Sequence, residues 1–183
     1  MVSQSRSEGV RILGEKTVEI DLAQSQPEIL GKLLVRQLGN NTFSSTVMHE
    51  DIYNYLEHHL NLKSRDKAKD VFYKMIFGKP YTYYESELFK LFPDIAEWVL
   101  KQKTTKNPNN PSKKVYSNVA YMLQRQESEI FRELWGKLNK QRIKFVPVHD
   151  SVIVREKDYL KTLRIFTNTM SKLLHYNISV NGS

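Results

Sequence analysis

Residues 143–154 read IKFVPVHDSVIV, two apolar arms flanking a polar pair, His149 and Asp150. Short runs rich in Val, Ile and Phe favour strand over helix, and a two-residue polar break between them is the pattern of a β-hairpin with that break at its turn. Pro147 has no N–H to give to a ladder, so its arm belongs at a sheet edge or a bulge. A second strand comes from residues 16–22, KTVEIDL. There Val18, Ile20 and Leu22 share one face while Thr17, Glu19 and Asp21 share the other. Asp21 therefore points away from the apolar face. Together these stretches predict a small antiparallel sheet, and the helical patterns around them predict an α+β fold in which helices back that sheet.

The helical patterns are easy to place. Pro27 opens one that runs through Ile29, Leu30, Leu33, Leu34 and Leu38 and stops at Gly39 and Asn40. Residues 49–62 and 64–77 read as two more, with Ser64 as N-cap of the second and Gly78, Lys79 and Pro80 ending it. Residues 85–101 read as a further helix, followed by TTKNPNNPSKK, a solvated, mobile loop that makes the clearest internal boundary. Helix returns over 116–138, with Val119, Leu123, Ile130, Phe131, Leu134 and Leu138 on one side. Residues 159–174 form an amphipathic helix suited to covering the sheet. There is no internal repeat.

At 183 residues the chain has room for one ordinary domain. Its 40% hydrophobic and 26% charged composition is in the globular range, and no apolar run reaches the length of a membrane span. The opening MVSQSRSEG has no apolar stretch after its arginine, so no secretory signal is expected and the expected location is cytoplasmic. With no cysteine, disulfides and thiolate metal sites are excluded, which leaves Asp, Glu and His as strong metal ligands. Twenty-eight Lys and Arg against 20 Asp and Glu give a net charge of +8, which favours a polyanionic partner, nucleic acid first among them. Such binding is expected to be salt-dependent and largely indifferent to sequence.

Three constellations carry chemistry. In RDKAKDVFYKMIFG, residues 65–78, Ala68, Val71, Phe72, Met75 and Ile76 form one apolar arc at helical spacing. Arg65, Lys69, Tyr73 and Phe77 recur every four residues beside it, two cations and then two aromatics along about 18 Å of helix. That length and order suit a triphosphate at one end and a sugar and base at the other. A solvated helix face with a packed tyrosine is the plainer alternative. Second, Asp21 at a strand end and Asp150 at a hairpin tip are oxygen donors that could hold magnesium if the fold brings them together; a turn-former and a solvent-facing strand residue are the alternatives. Third, Gln124, Arg125 and the turn histidine His149 are groups able to contact groove edges or phosphates.

In order along the chain, these stretches resemble motifs A, B and C of family A DNA polymerases. The first motif of that family, D-Y-S-Q-x-E, resembles DLAQSQ here, with Asp21, Gln24 and Gln26 in register. The second, R-x3-K-x3-[FY]-x3-Y-G, is matched in spacing by Arg65, Lys69, Tyr73, Phe77 and Gly78. The third, H-D after apolar residues, is matched by His149 and Asp150 in VPVHDS. The resemblance implies a polymerase palm formed by residues 1–44 and 116–183 and reduced helical fingers formed by 45–115. It implies two Mg2+ ions held by Asp21, Asp150 and the Leu22 carbonyl, and an incoming nucleoside triphosphate held by Arg65, Lys69, Tyr73 and Phe77, with Gln26 beside its sugar. Gln124, Arg125, His149 and Gly78 are implied contacts to primer–template DNA. Two departures stand out: Gln26 where the family has a glutamate that screens the sugar, and Ser151 where DNA polymerases have a glutamate after H-D. They imply relaxed sugar choice and primase-like duty. No thumb or exonuclease sequence is recognisable, so a thumb region or accessory protein is an expected partner.

The expectation is therefore template-directed nucleotidyl transfer by two metal ions, as in a compact phage or mobile-element enzyme. Its rival is a non-catalytic nucleic-acid-binding module that retains the palm fold. Both aspartates and the whole Arg-Lys-Tyr-Gly register favour the enzyme, since a scaffold needs none of them.

Overall fold

A computed structural model describes residues 9–112 and 114–174 and the backbone of 180–182. The lead-in over residues 1–8 and Lys113 of the lysine-bearing loop lie outside the described residues. In chain order the elements are β1 (Arg11–Ile12), β2 (Glu15–Leu22), α1 (Ser25–Leu38), α2 (Thr42–His49), α3 (Ile52–His59), α4 (Arg65–Phe77), α5 (Tyr83–Leu91), α6 (Pro93–Thr104), α7 (Asn118–Lys140), β3 (Phe145–Val148), β4 (Ser151–Arg155), α8 (Tyr159–Leu174) and β5 (Val180–Gly182). The fold is α+β. Two compact units divide it: residues 1–25 with 127–183, and residues 26–126.

The first unit carries the sheet. Its strands run antiparallel in the order β1-β2-β4-β3, and β5 also pairs with β2. The β1–β2 turn, Leu13-Gly14, has φ of 55° and 78°, the doubly left-handed conformation of tight two-residue hairpins. The β3–β4 turn is His149-Asp150, as the two apolar arms predict, and Pro147 stands opposite Val152 on the edge strand β3. Ile20, Val152 and Val154 are fully buried, and α8 packs on β4 through a face that includes Phe166 and Met170.

The second unit is helical. Its core is aromatic: the Phe43 ring stacks on Phe72 at 6.3 Å and meets Phe92 edge-on at 5.2 Å. Helix α4 buries Ala68, Val71, Phe72, Met75 and Ile76, the arc read from its spacing. Two helical readings need correction. The stretch 49–62 is interrupted by Glu50 and Asp51, because Asp51 caps α3 by accepting the N–H groups of Tyr53 and Asn54. The helix ahead of it, α2, was not foreseen and is capped by Asn41. The stretch 85–101 is broken at Phe92, which ends α5 and precedes Pro93 at the first turn of α6, the position proline favours.

Two ionisable groups are buried in this unit. The Lys103 ammonium donates to the Met75 carbonyl at 2.6 Å and lies 2.7 Å from Glu85 Oε1, with 0% and 2% of the two side chains exposed. Glu85 Oε2 in turn accepts the Tyr81 N–H. The pair thus ties the last turn of α4 to the start of α5 and the end of α6. Burial holds the Lys103 pKa below its ordinary value, and Glu85 offsets part of that. Glu28, in the first turn of α1, is 1% exposed, and its pKa is pushed up to about 8, first by burial and then by the Asp51 carboxylate.

Both groups make measurable predictions. Lys103→Met strands the Glu85 charge in the core and should cost about 3–5 kcal/mol in denaturant unfolding, whereas adding Glu85→Leu should recover most of it. A stable single variant would show that the pair carries no such weight. For Glu28 the native state keeps a proton that the unfolded chain releases above about pH 4.5. Stability from this group is therefore whole at acid pH and falls as pH rises towards 8. Glu28→Gln should remove that slope, raising the unfolding free energy little at pH 5 and by an amount on the order of a few kcal/mol at pH 8. Parallel melting curves for the two proteins from pH 5 to 8 would contradict this.

Candidate functional site

The two aspartates are brought together by the register of one strand pair. β2 and β4 align so that Asp21 stands directly opposite Ser151, and Asp150 is the residue before Ser151. Opposed Cα atoms in antiparallel pairs are about 4.5–5.5 Å apart and successive ones about 3.8 Å, so the Asp21 and Asp150 Cα atoms lie within about 9 Å. Both side chains are half-buried at the same end of the sheet. Leu22 follows on β2, 3% exposed, with its backbone paired to Val180. His149 is exposed and left-handed at φ 44°, a conformation histidine tolerates better than bulky or branched residues.

Ser151 anchors this end. Its hydroxyl lies 2.6 Å from Glu19 Oε1 and 3.0 Å from the Val148 carbonyl, and its one hydrogen goes to the carboxylate, the shorter and charge-assisted contact. Ser151 is 0% and Glu19 8% exposed. The link is diagonal across β2 and β4, and it fixes the residue that touches one aspartate through the chain and the other through the ladder. Among the described residues no group of three or more His, Asp or Glu side chains assembles that could hold a metal ion. The donor set is a pair of hard oxygen ligands, which suits an ion that keeps its remaining positions for water and substrate oxygens.

The second constellation lies on α4, in the other unit. Ser64 caps the helix by accepting the Lys67 N–H at 3.2 Å, as its sequence position predicts. Lys69 is exposed, while Arg65, Tyr73 and Phe77 are half-buried. The Tyr73 and Phe77 rings stack at 5.5 Å with 28° between their planes. Arg65 is held from α3: its Nη2 and Nε donate to Asp51 Oδ2 at 2.7 and 3.3 Å, and its guanidinium carbon sits 4.9 Å from the centre of the Tyr53 ring. Gly78 ends the helix with its N–H on the Lys74 carbonyl; a Cβ there would come within 2.3 Å of that oxygen, so only glycine fits. Asp51 and Tyr53 were not singled out from the sequence. The one legible signal was an aspartate at the cap of a helical run.

The remaining expected contacts are placed as follows. Gln26 is half-buried at the second residue of α1. Gln124 and Arg125 are exposed in the first third of α7, off its buried face. No helix of the described residues is long and apolar enough to cross a membrane.

No protein-family model matches the chain, and no curated protein is similar to it in sequence. Among solved structures, the chain is similar to the POL domain of Pol1 from M. smegmatis, solved in complex with DNA primer-template and dNTP. The TM-score is 0.62 at 11% identity, over 97% of this chain and 41% of that one. The likeness shows the fold, a polymerase-like α+β domain, and the chain spans well under half the length of that neighbour.

Proposed function

We propose that this chain catalyses template-directed nucleotidyl transfer, extending a primer on a DNA template. The observation that carries the proposal is the Asp21↔Ser151 register, which sets Asp21 beside Asp150 at one end of the sheet. The ordered Arg65, Lys69, Tyr73 and Phe77 stripe and the fold likeness support it. In this reading residues 1–44 and 116–183 are palm and 45–115 fingers. Asp21, Asp150 and the Leu22 carbonyl would hold two Mg2+ ions, which when bound stabilise charge on the attacking and leaving oxygens. Arg65 and Lys69 bind the triphosphate, Tyr73 its sugar and base, and Phe77 lies towards the templating position. Gln124, Arg125 and His149 contact the primer–template. The primer 3′ oxygen bonds to the α-phosphorus as the bond to pyrophosphate breaks. Arg65, whose Nε and Nη2 are held by Asp51, is assigned to the departing phosphates.

Gln26 is assigned to the sugar. A glutamate there presents a fixed negative charge to a ribose 2′ hydroxyl, whereas the glutamine amide is neutral and can donate or accept. Exclusion of ribonucleotides is then weaker by about one order of magnitude, the worth of a single hydrogen bond. The second reading is a non-catalytic nucleic-acid-binding module that retains the palm fold, which the net charge of +8 supports as well as it supports an enzyme. A thumb region or an accessory protein is a proposed partner of the enzyme.

Primer extension with Mg2+ and labelled dNTPs or NTPs tests the proposal. Incorporation is expected to fall by at least about two orders of magnitude in Asp21→Asn or Asp150→Asn. Gln26→Glu should restore preference for dNTPs by about tenfold. Salt-sensitive binding of primer–template with no extension under any condition supports the binding module instead. An unchanged sugar preference in Gln26→Glu removes Gln26 from the sugar.

A further inference from the structure

Helix α8 has two unlike faces. Thr162, Phe166 and Met170 are buried on the side packed against β4, whereas Leu160, Lys161, Arg164 and Asn168 are exposed. The exposed four fall at i, i+1, i+4 and i+8, one stripe about 12 Å long on the helix. Beside it runs the C-terminal part of α7. Lys137 Nζ donates to the Thr169 hydroxyl at 3.1 Å, and the Phe131 ring meets that of Phe166 at 6.1 Å, so the two helices are tied together. Between them lie adjoining cavities of about 280 and 440 Å³ that share Gln141 and Ile165 as lining. They form one groove, walled by Lys137 and Lys140 from α7 and by Lys161 and Arg164 from α8, with Ile165 and Leu160 as its aliphatic part. Among the described lining residues none is acidic. Lys137 is shared with Glu133 at 2.9 Å. Lys140, Lys161 and Arg164 are exposed, and among the described residues none of the three is in an ion pair.

We propose that this groove docks an acidic amphipathic helix of a partner protein, with the partner's aliphatic residues seated on Leu160 and Ile165 and its carboxylates against the flanking cations. A single exposed leucine is ordinary on a protein surface. Leu160, 76% exposed, instead borders a cavity whose floor is aliphatic and whose walls are cationic on both sides. That arrangement complements a helix with acids on either side of an apolar stripe, both in shape and in charge. Nucleic acid would use the charge alone. It gains nothing from Leu160 and Ile165, and no aromatic side chain among the described lining residues offers a base a ring to stack on. The groove also keeps clear of the two aspartates. Four residue steps along β4 carry the chain about 13 Å from Ser151 to Arg155 before α8 begins, so Leu160 lies towards the end of the sheet remote from Asp150. A partner held there leaves the Asp21 and Asp150 end open.

Fluorescence anisotropy on the full chain tests this, the probe being a labelled helical peptide of glutamate that carries leucine along one face. Wild type should bind it, and counterparts with Gln for every Glu or Ser for every Leu should bind at least about tenfold more weakly. Lys161→Glu combined with Arg164→Glu should weaken the peptide by at least about tenfold, and Leu160→Ser by about three- to tenfold. All three side chains are exposed, so the melting curves of these variants should stay at the wild-type position. Absence of binding to wild type overturns the inference, as does equal binding of the Gln counterpart or binding that survives both the charge reversal and Leu160→Ser. A labelled oligothymidylate that binds more tightly than the peptide, is lost on the charge reversal and is indifferent to Leu160→Ser makes the groove a nucleic-acid surface and overturns it too.

Discussion

The pairing of β2 with β4 is the constraint on which the rest of the candidate chemistry depends. It joins segments from opposite ends of the chain, and a slip of one residue would turn every side chain of the strand to the other face. Several interactions hold the register. Ile20 and Val18 stand opposite Val152 and Val154 on the apolar side, and on the other side Ser151 is bonded to Glu19. At the far end Arg155 donates to Glu15 and Asp158, at 3.1 and 2.7 Å. Closing so long a loop costs little more than closing a shorter one, since the entropy grows only with the logarithm of length. The sheet can therefore depend on distant partners as long as the register is specific.

In the helical unit precision comes from buried polar contacts rather than from pairing. Asp51 caps α3 with one oxygen and holds Arg65 with the other, so the cap that starts one helix also aims a side chain of the next. Lys103 satisfies the Met75 carbonyl, one of those left open at the end of α4, and stands against Glu85. Such groups are costly to bury and costly to break, which makes the orientation of α4 relative to α3, α5 and α6 hard to vary without unfolding the unit. Glu28 sits in the same unit with a carboxyl that burial keeps neutral near pH 7.

Much of this architecture was legible because it is local. Alternation in KTVEIDL, the polar break at His149-Asp150 and the arc of Ala68, Val71, Phe72, Met75 and Ile76 each state their element within a few residues. The helix α2 was not legible, because TFSSTVMH mixes β-branched and hydroxyl residues and is held by burial of Phe43 and Val47. The break at Phe92 was overlooked although Pro93 marked it. Strands as short as β1 and β5 carry too few residues to show a period. Of the candidate site, the aspartates and the α4 stripe could be named from spacing. Asp51 and Tyr53 could not be tied to Arg65, because that tie is made between helices and leaves no period in the sequence.

The central claim is that Asp21 and Asp150 form one metal site, and Mn2+ binding by the full chain, read by electron paramagnetic resonance, tests it most directly. The account predicts that wild type binds Mn2+ in competition with Mg2+. It also predicts that Asp21→Asn and Asp150→Asn each abolish most of that binding, and that the double substitution adds little to either. Independent, additive losses from the two substitutions, or binding that survives both, would contradict it.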